Sequence, residues 1–241
     1  MAETKPLDSR DGMRFLGQVR RGNVFEETLG QLLRAMRLGV FPPGEKLPAE
    51  RELAEALGVS RATLRDSLAE LQSAGYLQVQ RGRYGGAVVA AHPNSHENPL
   101  DDSDRARIED VLAFRSVVEP AAAELAAGAS LTATQRNNLM LAHEAVNSAD
   151  ATNYRPLDAR LHVMIADLSA SSMLAKAVAE ARDATSELLD RIPFLKPNIA
   201  HSSRQHEDIL NAILRGDGVS AKKLMQEHLD GTATLLRGFL D

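Results

Sequence analysis

Residues 47–68 read LPAERELAEALGVSRATLRDSL, a stretch that predicts two short helices joined by a tight turn. Three apolar residues fall on one face of the first helix: Leu53, Ala54 and Leu57. Gly58 follows them, and glycine tolerates the positive φ with which many helices end. Ser60 then offers a hydroxyl to the free N–H groups at the start of the next helix. The stretch therefore predicts a helix, a turn and a second helix.

The second helix is predicted to have one apolar and one basic face. The apolar stripe recurs at helical spacing: Leu64, Leu68 and Leu71. The opposite face begins with small and basic residues: Arg61, Ala62, Thr63 and Arg65. A short helix of this kind is what a helix-turn-helix places in the major groove of DNA. We therefore predict that this segment binds DNA.

The flanking sequence predicts the rest of a winged helix. An amphipathic helix is expected over residues 22–38, with five apolar residues on its inner face: Phe25, Leu29, Leu32, Leu33 and Met36. Residues 75–80 alternate between apolar and polar as a strand does, and residues 87–89 can return as its partner. The glycine-rich loop between them carries Arg81 and Arg83. We expect these two cations at the wing tip to contact the DNA backbone or the minor groove.

The composition favours a helical protein of the cell interior. Hydrophobic residues make up 44% of the 241 residues, enough for a buried core, whereas aromatic residues make up only 4%. The chain has no cysteine, which excludes disulfides and thiolate metal ligands. It also lacks a run of about 18 apolar residues and the apolar segment of a signal peptide. We therefore expect a cytoplasmic protein that does not enter a membrane.

Charge is distributed unevenly along the chain. Residues 20–92 carry a net charge of +2, whereas residues 93–241 carry −7. The basic excess thus accompanies the predicted DNA-binding segment. The domains are expected to be a flexible arm over residues 1–19, a winged helix-turn-helix domain over 20–91, a linker over 92–103 and a second domain over 104–241.

The second domain is predicted to be an all-α bundle. Helices are expected over residues 104–127, 132–149, 153–169, 173–191, 198–215 and 218–239. Thr132 and Gln135 have the spacing of a capping box at the start of the second of these helices. The predicted fold class is therefore mainly α, with three helices and a β-hairpin wing followed by a helical-bundle effector domain.

Four side chains of the bundle could converge at one level. Asp158 and His162 are four residues apart, so both project from the same face of one helix. His206 and His228 each lie 11 residues from Asp217, the expected turn of a helical hairpin, which puts them at equal height if both face inward. One carboxylate and three imidazoles suit Zn²⁺, Ni²⁺, Mn²⁺ or Fe²⁺. The same spacing also fits core histidines whose nitrogens are satisfied by hydrogen bonds.

The first domain resembles the N-terminal domain of GntR-family transcriptional regulators. The resemblance runs from about residue 37 to residue 86 and is carried by RLG at 37–39, PGEKLPAER at 43–51, LGVSR at 57–61 and LR at 64–65. It implies a homodimer that reads an inverted repeat in double-stranded operator DNA. It also implies that phosphates or bases contact six residues: Arg51, Ser60, Arg61, Thr63, Arg65 and Gly82.

The second domain resembles the FCD effector domain of the FadR-type branch of that family. The shared motifs are RSVVEPAA at 115–122, DARLH at 158–162, HEDILNAI at 206–213 and HL at 228–229. Many members of the branch carry one aspartate and three histidines as metal ligands, and the resemblance assigns these roles to Asp158, His162, His206 and His228. It implies a divalent metal ion, zinc first, with nickel, manganese or iron as alternatives. Branch members that bind acyl-CoA lack this ligand set, which argues against a long-chain ligand.

A metal ion with four protein ligands can accept a carboxylate or hydroxy-carboxylate from a small acid, and Arg115 could pair with that acid bidentately. Arg115 could instead form a structural ion pair with Glu119, four residues later on the same helix.

We expect a transcriptional regulator, and more narrowly a repressor that a small carboxylic or hydroxy acid releases from its operator. The alternatives are a metal-dependent enzyme with an appended DNA-binding module and a regulator whose metal is purely structural.

Overall fold

The computed structural model of the chain describes residues 16, 18–19, 23–37, 39–80, 86–90, 102–150, 153–192 and 195–240. The fold of this part is mainly α, as predicted, with nine helices and one two-stranded hairpin. The first compact unit contains α1 (Val24–Arg37), α2 (Glu50–Leu57), α3 (Arg61–Ser73), β1 (Leu77–Gln80) and β2 (Gly86–Val89). The second contains α4 (Asp102–Gly128), α5 (Ala133–Asn147), α6 (Tyr154–Leu168), α7 (Ser172–Leu189), α8 (Lys196–Arg215) and most of α9 (Gly218–Leu240).

The turn between α2 and α3 has the predicted chemistry. Gly58 ends α2 with φ = 68°, a left-handed conformation that favours glycine, and its N–H donates to the carbonyls of Ala54 and Glu55. Ser60 is the N-cap of α3, because its hydroxyl oxygen accepts a hydrogen bond from the Thr63 N–H at 3.0 Å. These two caps define the helix-turn-helix.

The face that α3 buries differs by one position from the predicted stripe. Leu64 and Leu71 are fully buried, but Leu68 is only half-buried, and Ser67 takes the third core position. The Ser67 hydroxyl donates to the Thr63 carbonyl at 3.0 Å, which satisfies its hydrogen-bonding capacity inside the core. The helix is therefore rotated slightly from the orientation that leucine spacing alone predicts.

The hairpin pairs β1 and β2 in antiparallel register, with Leu77 opposite Val89. An isolated bridge between Lys46 and Val88 connects β2 to the segment that precedes α2. The wing-tip residues predicted to touch DNA, Arg81, Gly82 and Arg83, lie outside the described residues. So do most of the predicted arm and residues 92–101 of the predicted linker.

The helices of the second unit begin and end within two residues of the predicted bounds. Thr132 and Gln135 form the predicted capping box. Helix α6 contacts α4, α5 and α7, which places it inside the bundle. Its buried side chains pack with those of α8 and α9 in one core: Leu161, Ile165, Ile209, Ile213, Met225 and Leu229. The helices that carry the four predicted ligands are thus held together by apolar packing.

Candidate functional site

The four predicted ligands converge inside the second unit. Asp158 and His162 project from α6, His206 from α8 and His228 from α9, and all four are buried. The Nε2 atom of His206 lies 3.3 Å from the Nε2 atoms of both His162 and His228, and 3.3 Å from Oδ1 of Asp158. One ligand atom from each residue lies within 4.8 Å of all the others. No residue beyond these four is needed to complete a metal-ligand set.

The helical hairpin of α8 and α9 accounts for half of this convergence. Gly216 ends α8 in a left-handed conformation, with φ = 76°. Asp217 then accepts from the Ser220 N–H at 3.0 Å and starts α9. Because the chain reverses here, the equal spacing of His206 and His228 brings their rings to 4.6 Å between centroids. Both histidines face inward, which is the condition on which their predicted convergence depended.

Hydrogen bonds on the far side of two rings fix which nitrogens carry protons. The Nδ1 atom of His162 donates to Oε2 of Glu119, and the Nδ1 atom of His228 donates to Oε1 of Gln205 at 3.1 Å. Each of these rings, when neutral, therefore presents a lone pair at Nε2. This arrangement, a carboxylate behind a histidine whose other nitrogen faces the centre, is typical of metal-binding histidines.

Four candidate ligand atoms face one another at the centre of this group. Oδ1 of Asp158 is buried without a hydrogen-bond partner among the described residues, although it faces imidazole nitrogens. A cation between the four atoms would satisfy them together. Each Zn–N bond is about 2.0–2.1 Å long, so two nitrogens on one zinc ion lie roughly 3–4 Å apart. The 3.3 Å separations fit that spacing. The residues present therefore fit a divalent metal ion.

Burial and neighbouring charges keep three of the candidate ligands in the protonation states that metal binding needs. It lowers the pKa of His206 to about 3, despite the opposing charge of Asp158, and lowers that of His228 well below its ordinary value. Burial opposes ionisation of Asp158, but Arg182 and then His162 outweigh it and hold the pKa of this carboxyl below its usual range. At neutral pH, His206 and His228 are therefore neutral and Asp158 is charged.

Two charged residues around the ligands have roles that the sequence did not predict. Arg182 on α7 donates through Nη2 to Oδ2 of Asp158, on the side of the carboxylate away from the histidines. Glu119 on α4 links His162 to Arg115, because its second oxygen accepts from Arg115 Nε. The predicted alternative for Arg115, an ion pair with Glu119, is thus observed. Only Nε takes part in that pair, and the buried Nη1 and Nη2 of Arg115 have no hydrogen-bond partner among the described residues.

A small cavity adjoins the ligands. It encloses about 50 Å³, compared with roughly 10–15 Å³ for a single water molecule. Asp158, Arg182 and His228 form part of its wall, together with Tyr154 and Ser202, whereas Arg115 does not line it. Burial and then the Asp158 charge raise the pKa of the Tyr154 hydroxyl, so this group remains a donor. The wall therefore places a guanidinium beside the candidate ligands.

The described DNA-contact candidates lie on α2, on α3 and in the turn between them. Arg51, Ser60, Arg61 and Arg65 are exposed, and Thr63 is half-buried. Ser60 Oγ lies 2.9 Å from Thr63 Oγ1, which fixes both hydroxyls at the start of α3. Arg65 forms an ion pair with Glu50 at 2.7 Å. The basic face predicted for α3 is therefore accessible.

Comparison with known proteins identifies the family. Residues 26–88 match the family described as bacterial regulatory proteins, gntR family, and residues 110–231 match the FCD domain. The second match alone covers half of the chain. The chain belongs to the GntR family. Its two compact units carry the GntR match and the FCD match respectively.

Several relatives of this GntR-family chain are named as regulators. It is 33% identical to the L-lactate dehydrogenase operon regulatory protein of Escherichia coli K12, over 81% of this chain and 80% of that protein. It is 27% identical to the Exu regulon transcriptional regulator of the same organism, over 88% and 84% of the two chains. The solved structure of Streptococcus agalactiae GntR is 26% identical, has a TM-score of 0.48 and covers 87% and 98% of the two chains. The two family matches and the named Escherichia coli relatives together show that the chain is a GntR/FCD transcriptional regulator.

Across the described ranges, none of the helices of this GntR-family chain combines the length and the hydropathy that crossing a membrane requires.

The hydrogen bond from His162 to Glu119 can be tested through its expected effect on zinc affinity. Glu119→Gln should weaken zinc binding by about 10–100-fold, because the amide orients the imidazole less firmly and makes it a poorer ligand. Zinc affinity is measured by competition with a chromogenic chelator. Glu124→Gln is the control, since Glu124 lies on the same helix but is exposed and pairs with Lys222. Equal zinc affinity in the Glu119 variant and the parent would contradict a supporting role for Glu119.

Proposed function

We propose that this regulator holds a divalent metal ion on Asp158, His162, His206 and His228, and that a small organic acid bound beside the ion weakens operator binding. The observation that carries the proposal is the convergence of four buried candidate ligand atoms, among them Oδ1 of Asp158, which has no hydrogen-bond partner among the described residues. Zinc is the first metal to test, with nickel, manganese and iron as alternatives. When bound, the ion supplies a positive charge that attracts a carboxylate.

The arginines beside the ligands support an acidic effector. Arg115 has two unpartnered NH₂ groups, and Nε of Arg182 is unpartnered as well. A buried donor left without an acceptor costs about 1–3 kcal/mol, which a carboxylate on the effector would recover. Arg182 lines the cavity, so it is the second candidate contact besides Arg115.

The lining of the cavity supports an acidic effector. We propose a carboxylic or hydroxy acid, because the cavity places the Arg182 guanidinium beside Asp158 and His228. The Escherichia coli relative is named for an L-lactate dehydrogenase operon, so lactate is the first acid to test.

We further propose that a homodimer reads an inverted repeat and represses transcription until the acid binds. The DNA contacts would come from Arg51, Ser60, Arg61, Thr63 and Arg65, and from the wing residues Arg81, Gly82 and Arg83. The acid regulates only if it binds more tightly to the arrangement of the protein that binds DNA poorly.

Removing the metal separates regulation from two alternatives. An effector-linked metal predicts that metal-free protein stays folded but no longer responds to acid. If the metal is purely structural, chelation should unfold the second unit, and circular dichroism would detect the lost helical structure. A metal-dependent enzyme predicts turnover of the candidate acids by the metal-loaded protein.

The DNA contacts are tested by two arginine variants. Arg65→Ala should weaken binding to a selected operator by about 1–3 kcal/mol and relax preference at one base pair per half-site, as expected of a base contact. Arg83→Ala should weaken specific and non-specific binding alike and reduce the salt dependence, as expected of a phosphate contact. Binding is measured by fluorescence anisotropy at several salt concentrations.

Arg34→Ala is the matched control, because Arg34 is exposed on α1 of the same unit and lies outside the helix-turn-helix. It should bind the operator as the parent does. Parental affinity and salt dependence in the Arg65 and Arg83 variants would overturn the assignment of these DNA contacts.

A further inference from the structure

The two helices of the helix-turn-helix are linked by one exposed ion pair. Glu50 is the first residue of α2, and Arg65 lies in the second turn of α3. Nε of Arg65 donates to Oε2 of Glu50 at 2.7 Å, and the two side chains are 60% and 43% exposed. An exposed pair of this kind adds little to stability. The main effect that we expect from this ion pair is therefore on the orientation of the Arg65 side chain.

The geometry of the bond favours reading a base. The carboxylate takes Nε, so the two terminal NH₂ groups of Arg65 remain available. Those groups form the fork that binds O6 and N7 of guanine in the major groove. A free arginine side chain has several rotatable bonds, and fixing them on binding costs entropy. A side chain already held in one orientation loses less entropy when it meets the base.

We propose that Glu50 is a positioning residue for base readout, which orients the Arg65 guanidinium without itself contacting DNA. The inference rests on the proposed DNA contact of Arg65. A carboxylate near the phosphate backbone repels DNA of any sequence, so it lowers affinity in general. The benefit of Glu50 is discrimination between base pairs, and specificity can rise while overall affinity falls.

The test compares two glutamates on the same helix. Glu50→Gln and Glu55→Gln each remove one negative charge, but Glu55 is exposed and outside the ion pair with Arg65. Random-sequence duplexes are selected on the full-length parent, on both variants, on Arg65→Ala and on the Glu50→Gln/Arg65→Ala double variant. Sequencing then gives the discrimination at each base pair. Thermal unfolding confirms that every variant is folded.

Both glutamine variants should bind non-specific duplex slightly more tightly than the parent. Glu50→Gln alone should lose discrimination, by roughly twofold to fivefold at one base pair per half-site, the scale of an exposed ion pair. That base pair should be the one affected in Arg65→Ala, and the double variant should match Arg65→Ala there because the guanidinium is already absent.

Three results would overturn the proposal. Equal discrimination in the Glu50 and Glu55 variants would mean that the ion pair does not orient Arg65. Sharper discrimination in Glu50→Gln would mean that Glu50 competes with the base for Arg65. Unchanged discrimination in Arg65→Ala would remove the base contact itself, which is a failure of the proposed DNA contact and is distinct from the first two results.

Discussion

His206→Ala and His228→Ala are each expected to lose most of the bound metal. Nε2 of His206 lies 3.3 Å from Nε2 of His162, Nε2 of His228 and Oδ1 of Asp158, so it is close to every other candidate ligand atom. Losing a direct ligand should cost more affinity than the roughly 10–100-fold lost with an outer partner. Metal content is measured by elemental analysis of full-length protein purified without a histidine tag. Thermal unfolding with and without added zinc gives the matching loss of stabilisation.

Two further variants show whether the loss follows from ligation. Asp158→Asn should lose metal less completely, because an amide oxygen can still bind the ion but carries no charge. His143→Ala should keep the metal, because the Nε2 atom of His143 lies 3.3 Å from the Ser203 carbonyl and outside the ligand group. His143 is buried, so its loss is expected to lower stability, which thermal unfolding reads separately. Metal retained in the His206 variant and lost in the His143 variant would refute the ligand assignment.

The helix-turn-helix could be predicted because its signals are local. A glycine in a left-handed conformation and a serine cap each act within a few residues, so Gly58 and Ser60 define the helix ends without help from the rest of the chain. The rotation of α3 could not be predicted in the same way. The hydrophobicity of Leu68 favours a core position for this residue. Ser67 takes that position instead, because its hydroxyl donates a hydrogen bond to the Thr63 carbonyl of the same helix.

The convergence of the four candidate ligands could be predicted because residue spacing along a helix determines which side chains share a face or a level. Four residues bring Asp158 and His162 to one face, and equal distances from Asp217 bring His206 and His228 to one level. The contact of Arg182 with Asp158 could not be predicted, because no motif or residue spacing relates α7 to Asp158. Only one of the two contacts of Glu119 could be predicted from the sequence. The four-residue spacing predicted its pair with Arg115, but its contact with His162 depends on how α4 packs against α6.

The same contacts decide how Arg115 can be tested. Truncating it would leave Glu119 as an unpaired buried carboxylate, which costs several kcal/mol and disturbs the partner of His162. Arg115→Lys keeps the charge beside Glu119 but removes the two NH₂ groups that have no partner. The lysine variant therefore separates a contact with the acid from support of the ligands more cleanly than alanine does.

Arg115→Lys is expected to weaken binding of the effector acid by about tenfold or more, the scale of a lost charge-assisted hydrogen bond, while metal content and acid-free operator affinity stay nearly unchanged. Candidate acids, lactate first and then pyruvate, citrate and sugar acids, are titrated calorimetrically into metal-loaded parent and variant. Arg107→Lys is the control, because Arg107 is exposed on the same helix and pairs with Glu187. A variant that binds the acid as tightly as the parent would exclude Arg115 from the effector site.

The same titrations, repeated with operator duplex present, test regulation itself. Linkage requires that an acid which weakens operator binding by some factor is bound more weakly, by that same factor, in the presence of operator. A typical coupling of about 1–3 kcal/mol corresponds to roughly 5–150-fold. Because Arg115→Lys removes a contact with the acid and none with DNA, it should lower acid affinity equally in free and operator-bound protein and leave the coupling factor unchanged. Equal acid affinity with and without operator in the parent would mean that the acid does not regulate DNA binding, whatever the metal content of the second unit.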